Sequence, residues 1–143
     1  MTSLPDVNVL LALAWAHHPH HQAAHAWFVR EANAGWATCL LTQSGLLRLS
    51  LNPVVVGVAI DCQAAHQLLT KLIGHPTHRF IDVAPTLAAA PFDGLVPRIS
   101  GYRQVSDAIL LHIAKVHGLK LVTFDQASAA LCPWPGTLEL LSP

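Results

Sequence analysis

Apolar residues in this chain gather into short runs separated by Pro, Gly, Asn and Asp, and most runs lack the strict alternation of a half-exposed strand. Ser3-Leu4-Pro5-Asp6 reads as a short strand ending on Asp6. Val7 to Ala16 continues as a helix rich in Leu and Ala, and its lack of a polar face predicts burial on most sides. His17 to His21, with Pro19 inside, breaks the chain and reads as a solvated loop. Gln22 to Ala34 resumes as a helix burying Ala23, Ala26, Trp27 and Ala32 before Gly35 stops it, which makes a helical hairpin. Trp36 to Leu40 is strand-like, and Thr42 is the candidate N-cap of a helix over Gln43 to Leu51, ended by Asn52-Pro53. The β-branched run Val54 to Ile60 reads as a strand, with Asp61 capping a helix through Leu72.

Arg79 to Val83 is the next strand, followed by a loop-rich stretch holding Pro85, Pro91, Asp93, Gly94, Pro97 and Gly101. Ser106 is expected to cap a helix from Asp107 to His117, with Ile109, Ile113 and Val116 on its inner face and Gly118 at its end. Leu119 to Phe124 is a buried strand that delivers Asp125, and a short helix runs to about Leu131. Cys132 to Gly136 turns the chain, and Thr137 to Leu141 closes the sheet at an edge. Strands alternating with helices predict the α/β class: one domain over residues 1–143, a three-layer α/β/α sandwich with a mainly parallel sheet of about five strands.

Composition agrees with a covered sheet. Apolar residues make up 52% and charged residues only 11%, which excludes disorder and leaves apolar surface for a partner. Eight Lys/Arg against eight Asp/Glu give no net charge, so a long basic nucleic-acid footprint is not expected. Cys39, Cys62 and Cys132 share no metal-binding spacing and are expected as reduced core residues of a cytoplasmic protein. The run from Val7 to Ala16 is too short to span a bilayer and has no basic residue before it, so no membrane segment is expected.

Against that sparse charge, three of the eight acids fall at structurally special places. Asp6 and Asp125 end predicted strands, and Asp107 lies in the first turn of a helix. In a parallel sheet the carboxyl ends of the strands share one edge, outside which ligands bind. Three carboxylates gathered there would repel one another, and a hard divalent cation with oxygen ligands compensates them. Each acid alone is also explained as a cap or a strand-end polar group.

The ordered set Leu4-Pro5-Asp6-Val7-Asn8-Val9-Leu10-Leu11, Ala37-Thr38-Cys39, Thr42-Gln43-Ser44-Gly45-Leu46-Leu47-Arg48-Leu49, Asn52-Pro53, Val105-Ser106-Asp107-Ala108 and Leu121-Val122-Thr123-Phe124-Asp125 resembles PIN-domain proteins, most of all the VapC-type toxins of prokaryotic toxin–antitoxin pairs. The resemblance runs from residue 4 to about 130. It implies a metal-dependent endoribonuclease that leaves a 5′-phosphate, uses Mg2+ or Mn2+, is commonly a homodimer and is inhibited by a cognate antitoxin. Asp6, Asp107 and Asp125 match three of the family's acidic positions, as metal ligands and catalytic residues. The fourth, usually Glu, matches Gln43, whose carbonyl oxygen brings no charge, so one tightly held ion is expected, with a second arriving alongside the RNA phosphate.

Around the acids, Asn8, Ser106 and Thr123 are candidates to orient carboxylates by hydrogen bonds. Arg98 and Arg103, just upstream of Asp107, are candidates to grip RNA phosphates, whereas Arg48 within an apolar helix is expected to form a buried structural pair. His21 and His25 have a zinc-like spacing with no further ligand near, and Trp27 and Trp36 read as core. A receiver-like signalling domain is disfavoured because Asp6 stands alone and no suitable lysine follows Asp125. The remaining alternative is a PIN-fold protein that binds RNA or an antitoxin without cutting.

Overall fold

Short apolar runs become the strands of one sheet in the computed structural model, which describes residues 1–143. The strands β1 (Ser3–Pro5), β2 (Trp36–Cys39), β3 (His78–Ile81), β4 (Lys120–Thr123) and β5 (Leu138–Leu140) lie in the order β3-β2-β1-β4-β5, all parallel. The chain builds outward from β1 to β3, then returns to the far side of β1 for β4. The topological switch therefore falls between β1 and β4, where the carboxyl ends of neighbouring strands open a crevice.

Eight helices cover the sheet: α1 (Val7–Ala14), α2 (His21–Glu31), α3 (Leu40–Ser50), α4 (Pro53–Val56), α5 (Cys62–Ile73), α6 (Phe92–Leu95), α7 (Val105–His117) and α8 (Gln126–Leu131). Alternation along each strand divides the core into two layers. Leu4, Ala37, Cys39 and Leu121 pack with Phe92, Leu95, Leu111 and Leu131 on one face. On the other, Trp36 packs with Leu10, Leu11, Leu46 and Leu69, and Val122 packs with Val9, Ala12 and Trp27. The three-layer α/β sandwich expected from the sequence is the observed fold. None of its helices is long and apolar enough to cross a membrane.

Several local expectations are corrected. Val54 to Ile60 forms no strand: Asn52 accepts the Val54 N–H at 3.0 Å, Pro53 opens the short helix α4, and Gly57 ends it in the left-handed region at φ 76°. Capping chemistry there outweighs the β-branched preference. Helix α1 stops at Ala14. Thr42 is not an N-cap: α3 starts at Leu40, and the Thr42 hydroxyl reaches back to the Cys39 N–H at 3.0 Å. Ser106 caps nothing either, because α7 starts at Val105 directly after a 3₁₀ turn over Tyr102–Gln104.

Burial brings further corrections. In α2 the buried residues are Ala24 and Trp27, whereas Ala26 is exposed. Cys39 is core, but Cys62 is exposed and Cys132 half-buried. Arg48 is exposed and makes no ion pair; the three salt bridges join Arg30 to Glu31 and to Glu139, and Lys120 to Glu139. The histidine segment is anchored: His17 Nε2 donates to the Val56 carbonyl and His21 Nδ1 to the Ala12 carbonyl, each at 2.7 Å.

Candidate active site

Asp6 sits where β1 gives way to α1, at the switch point. Its N–H donates to the Val122 carbonyl of β4 at 2.9 Å, so the backbone is clamped to the neighbouring strand. One carboxylate oxygen accepts the Val9 N–H at 3.0 Å as the N-cap of α1, and the other accepts the Thr123 hydroxyl. The side chain is only 5% exposed. Burial pushes its pKa up from the ordinary 3.8 to about 6; the bonds from Thr123 and Val9 counter that rise, and repulsion from Asp107 adds to it.

Asp107 occupies the first turn of α7 and faces Asp6 across a cavity of about 170 Å3, whose lining includes Asn8, Arg48 and Ser106. Its pKa is raised as well, by burial first and by the charge of Asp125 second, with the Ser128 hydroxyl opposing. Asp125 caps α8, one oxygen accepting the Ala127 N–H at 2.8 Å, while its own N–H donates to Thr123 Oγ1 at 3.0 Å. Thr123 thus ties Asp6 and Asp125 together. Asp125 itself opens onto an adjoining pocket, and Asn8 lines both cavities.

The structure does not bring all candidates together. Gln43 lies outside the acid cavity: its amide donates to Thr38 Oγ1 at 2.9 Å, and Thr38 in turn bonds His78 Nε2 at 2.8 Å. Arg98 bonds the Ala130 carbonyl and Arg103 lies over the Tyr102 ring, so neither lines the cavity. One residue that the sequence assigned to a structural pair lines the cavity instead. Arg48 is the cavity's one cation, signalled by its place one turn after Gly45, the residue of α3 that meets Val7. Ser128, one turn after Asp125, is buried outside that lining, and its hydroxyl makes no hydrogen bond of its own.

The donor set suits a hard divalent cation of the magnesium kind. Asp6 and Asp107 are carboxylates made costly by burial and mutual repulsion, and no Lys, Arg or His forms an ion pair with them. The three acids expected as ligands do not converge into one cluster: no three His, Cys, Asp or Glu side chains are placed to hold an ion together, and Asp6 and Asp107 line the cavity while Asp125 lines the adjoining pocket.

Comparison with known proteins agrees with the fold. The PIN domain family matches residues 3–131. Ribonuclease VapC38 of Mycobacterium tuberculosis is 46% identical over 123 residues, covering 86% of this chain and 84% of that protein. Ribonuclease VapC39 of the same organism is 38% identical over 130 residues, covering 90% and 92%. Among solved structures, VapBC2 from Rickettsia felis bound to a promoter DNA fragment has a similar fold, with a TM-score of 0.68, 14% identity and coverage of 99% and 100%. PAE2754 from Pyrobaculum aerophilum aligns with a TM-score of 0.59 at 24% identity, covering 96% and 83%. The chain belongs to the PIN-domain family, in its branch of VapC ribonucleases.

Proposed function

We propose that this protein is a toxin that hydrolyses RNA phosphodiester bonds at the Asp6–Asp107 cavity, with Mg2+ or Mn2+ as cofactor, and that a cognate antitoxin protein neutralises it. The observation that carries this reading is the pair of mutually repelling carboxylates at the switch point, Asp6 buried and Asp107 half-buried, with Arg48 as the one cation beside them. When bound there, a divalent ion neutralises the phosphate and acidifies a water. Asp6 and Asp107 hold that ion. Thr123 fixes the Asp6 carboxylate by its hydroxyl.

Arg48 contacts a non-bridging phosphate oxygen, a contact its planar donors suit. Asp125 has one oxygen on the Ala127 N–H and presents the other to the attacking water, whose proton it orients. Water oxygen bonds to phosphorus, the bond from phosphorus to O3′ breaks, and the products carry a 5′-phosphate and a 3′-hydroxyl. The alternative of a chain that binds without cutting rests on Gln43 standing where the family usually has Glu, and metal-dependent cleavage separates the two readings.

For the protein partners, an antitoxin and a second copy, support comes from apolar surface at the sheet edge. Leu40, Phe80 and Val83 are exposed around a groove of about 370 Å3 beside β3. The free thiols of Cys39, Cys62 and Cys132 suit a cytoplasmic site of action.

The test is cleavage of total RNA by purified protein with Mg2+, with Mn2+ and with EDTA, beside Asp107→Asn. Discrete cuts that need both metal and Asp107 are expected. Folded protein that cuts nothing under either metal overturns the reading.

A further inference from the structure

Asn8, which lines the acid cavity, also lines a second pocket of about 450 Å3, together with His18, His20, Val55, Phe124 and Asp125. Its wall is the histidine segment, and that segment is built rather than loose. His17 and His21 donate to the Val56 and Ala12 carbonyls and so pin both ends. Between them, His18 Nδ1 accepts the His20 N–H at 3.0 Å, which places the proton of the neutral ring on Nε2. The His20 ring lies on Phe124 at 4.8 Å between centroids and 28° between planes, a stacked pair. Phe124 is the residue between Thr123 and Asp125, so the stack is fixed to the strand end that builds the acid site.

What this pocket suits follows from its chemistry. No Lys or Arg lines it, and the Asp125 carboxylate repels anions, so a phosphate group is a poor occupant. A zinc-type ion is also disfavoured, since no three His, Cys, Asp or Glu side chains stand in binding geometry. A flat aromatic platform with a ring N–H donor on one side and an amide on the other matches an unpaired nucleobase. Bases splayed from single-stranded RNA are held by such stacking and edge hydrogen bonds.

We propose that the His18–His20–Phe124 pocket is a nucleobase subsite, taking one unpaired base of the RNA next to the scissile phosphodiester. The base stacks on the His20–Phe124 pair, and His18 Nε2 donates to an acceptor on its edge. The subsite rests on the nuclease reading above for its place in the reaction, and it makes the histidine segment a determinant of which RNA sequence is cut.

Two measurements test it. In EDTA, where metal-dependent cleavage is silent, full-length protein is titrated with each of the tetraribonucleotides rA4, rC4, rG4 and rU4 while the histidine ring signals are followed by NMR. At least one should shift the His18 and His20 rings and leave His66, on the exposed side of α5, unmoved. His20→Ala should weaken that binding roughly tenfold. With Mn2+, cut sites mapped for wild type, His20→Ala and His18→Gln should show a base preference at one position beside the cut that both variants relax, with KM rising more than kcat falls.

Two variants guard against one misfolding, and circular dichroism reports which is folded. Unmoved His18 and His20 signals with all four tetranucleotides, or an unchanged cut-site preference in folded variants, overturns the subsite. A wild type that cuts nothing overturns the nuclease reading instead, while the EDTA titration still decides whether a base binds.

Discussion

Arg48 and Gln43 share one helix yet face different chemistry. At 100° per residue, Gln43 lies about 200° round α3 from Leu41, which lines the acid cavity together with Arg48. Replacing Gln43 by Ala removes a bond to Thr38 and nothing from the cavity, so metal-dependent kcat/KM should stay within about threefold of wild type. Arg48→Ala should lower kcat about 10²-fold, as loss of one donor to a developing charge does elsewhere, and Arg48→Lys should recover part of it. Steady-state kinetics on one defined RNA check both. A Gln43→Ala defect as large as that of Arg48→Ala would mean that the side chain swings into the site on substrate binding.

At the scale of elements, the approach of α1 and α3 sets where Asp6 stands. A Cβ built on Gly45 would come within 2.5 Å of Val7 Cγ2, and Val7 is the residue after Asp6. Gly45→Ala should therefore cost about 1–3 kcal/mol of stability and displace the carboxylate. Val7→Ala should be mildly destabilising alone, and the double variant should recover most of the loss, a coupling that a denaturation double-mutant cycle reads directly. The same contact explains what the sequence left hidden. Strands, their parallel class and the three acids were legible because burial on both faces writes continuous apolar runs ended by polar residues. The face that α3 turns to the site was not, since a helical phase becomes functional only through a packing partner, and Gly45 was its one local sign. Val54 to Ile60 misled for a related reason: side-chain preference was read there, and the cap at Asn52 decided.

For the whole molecule, the acid site sets function against stability. Asp6 is pushed up from 3.8 to about 6, so between those pH values the unfolded chain gives up a proton that the folded one keeps. Stability of the metal-free protein should then fall as pH rises through that window and level off above it, by about 3 kcal/mol for this one group. Asp107, raised in the same direction, steepens the fall. His18 and His78, both lowered by burial, act oppositely below pH 6.5, because the unfolded chain takes up protons there that the folded one does not. The difference between wild type and Asp6→Asn cancels their contribution. In EDTA at pH 7.5 the Asn variant should be the more stable protein by about 2 kcal/mol, since the charge that must be buried is gone. Added Mg2+ or Mn2+ should raise the wild-type melting temperature at pH 7.5, less so at pH 5 where Asp6 holds its proton, and leave Asp6→Asn almost unmoved. A wild type whose metal-free stability does not fall between pH 4 and 6.5 relative to Asp6→Asn would mean that Asp6 is already compensated in the folded chain. The cost that a bound cation relieves would then not exist.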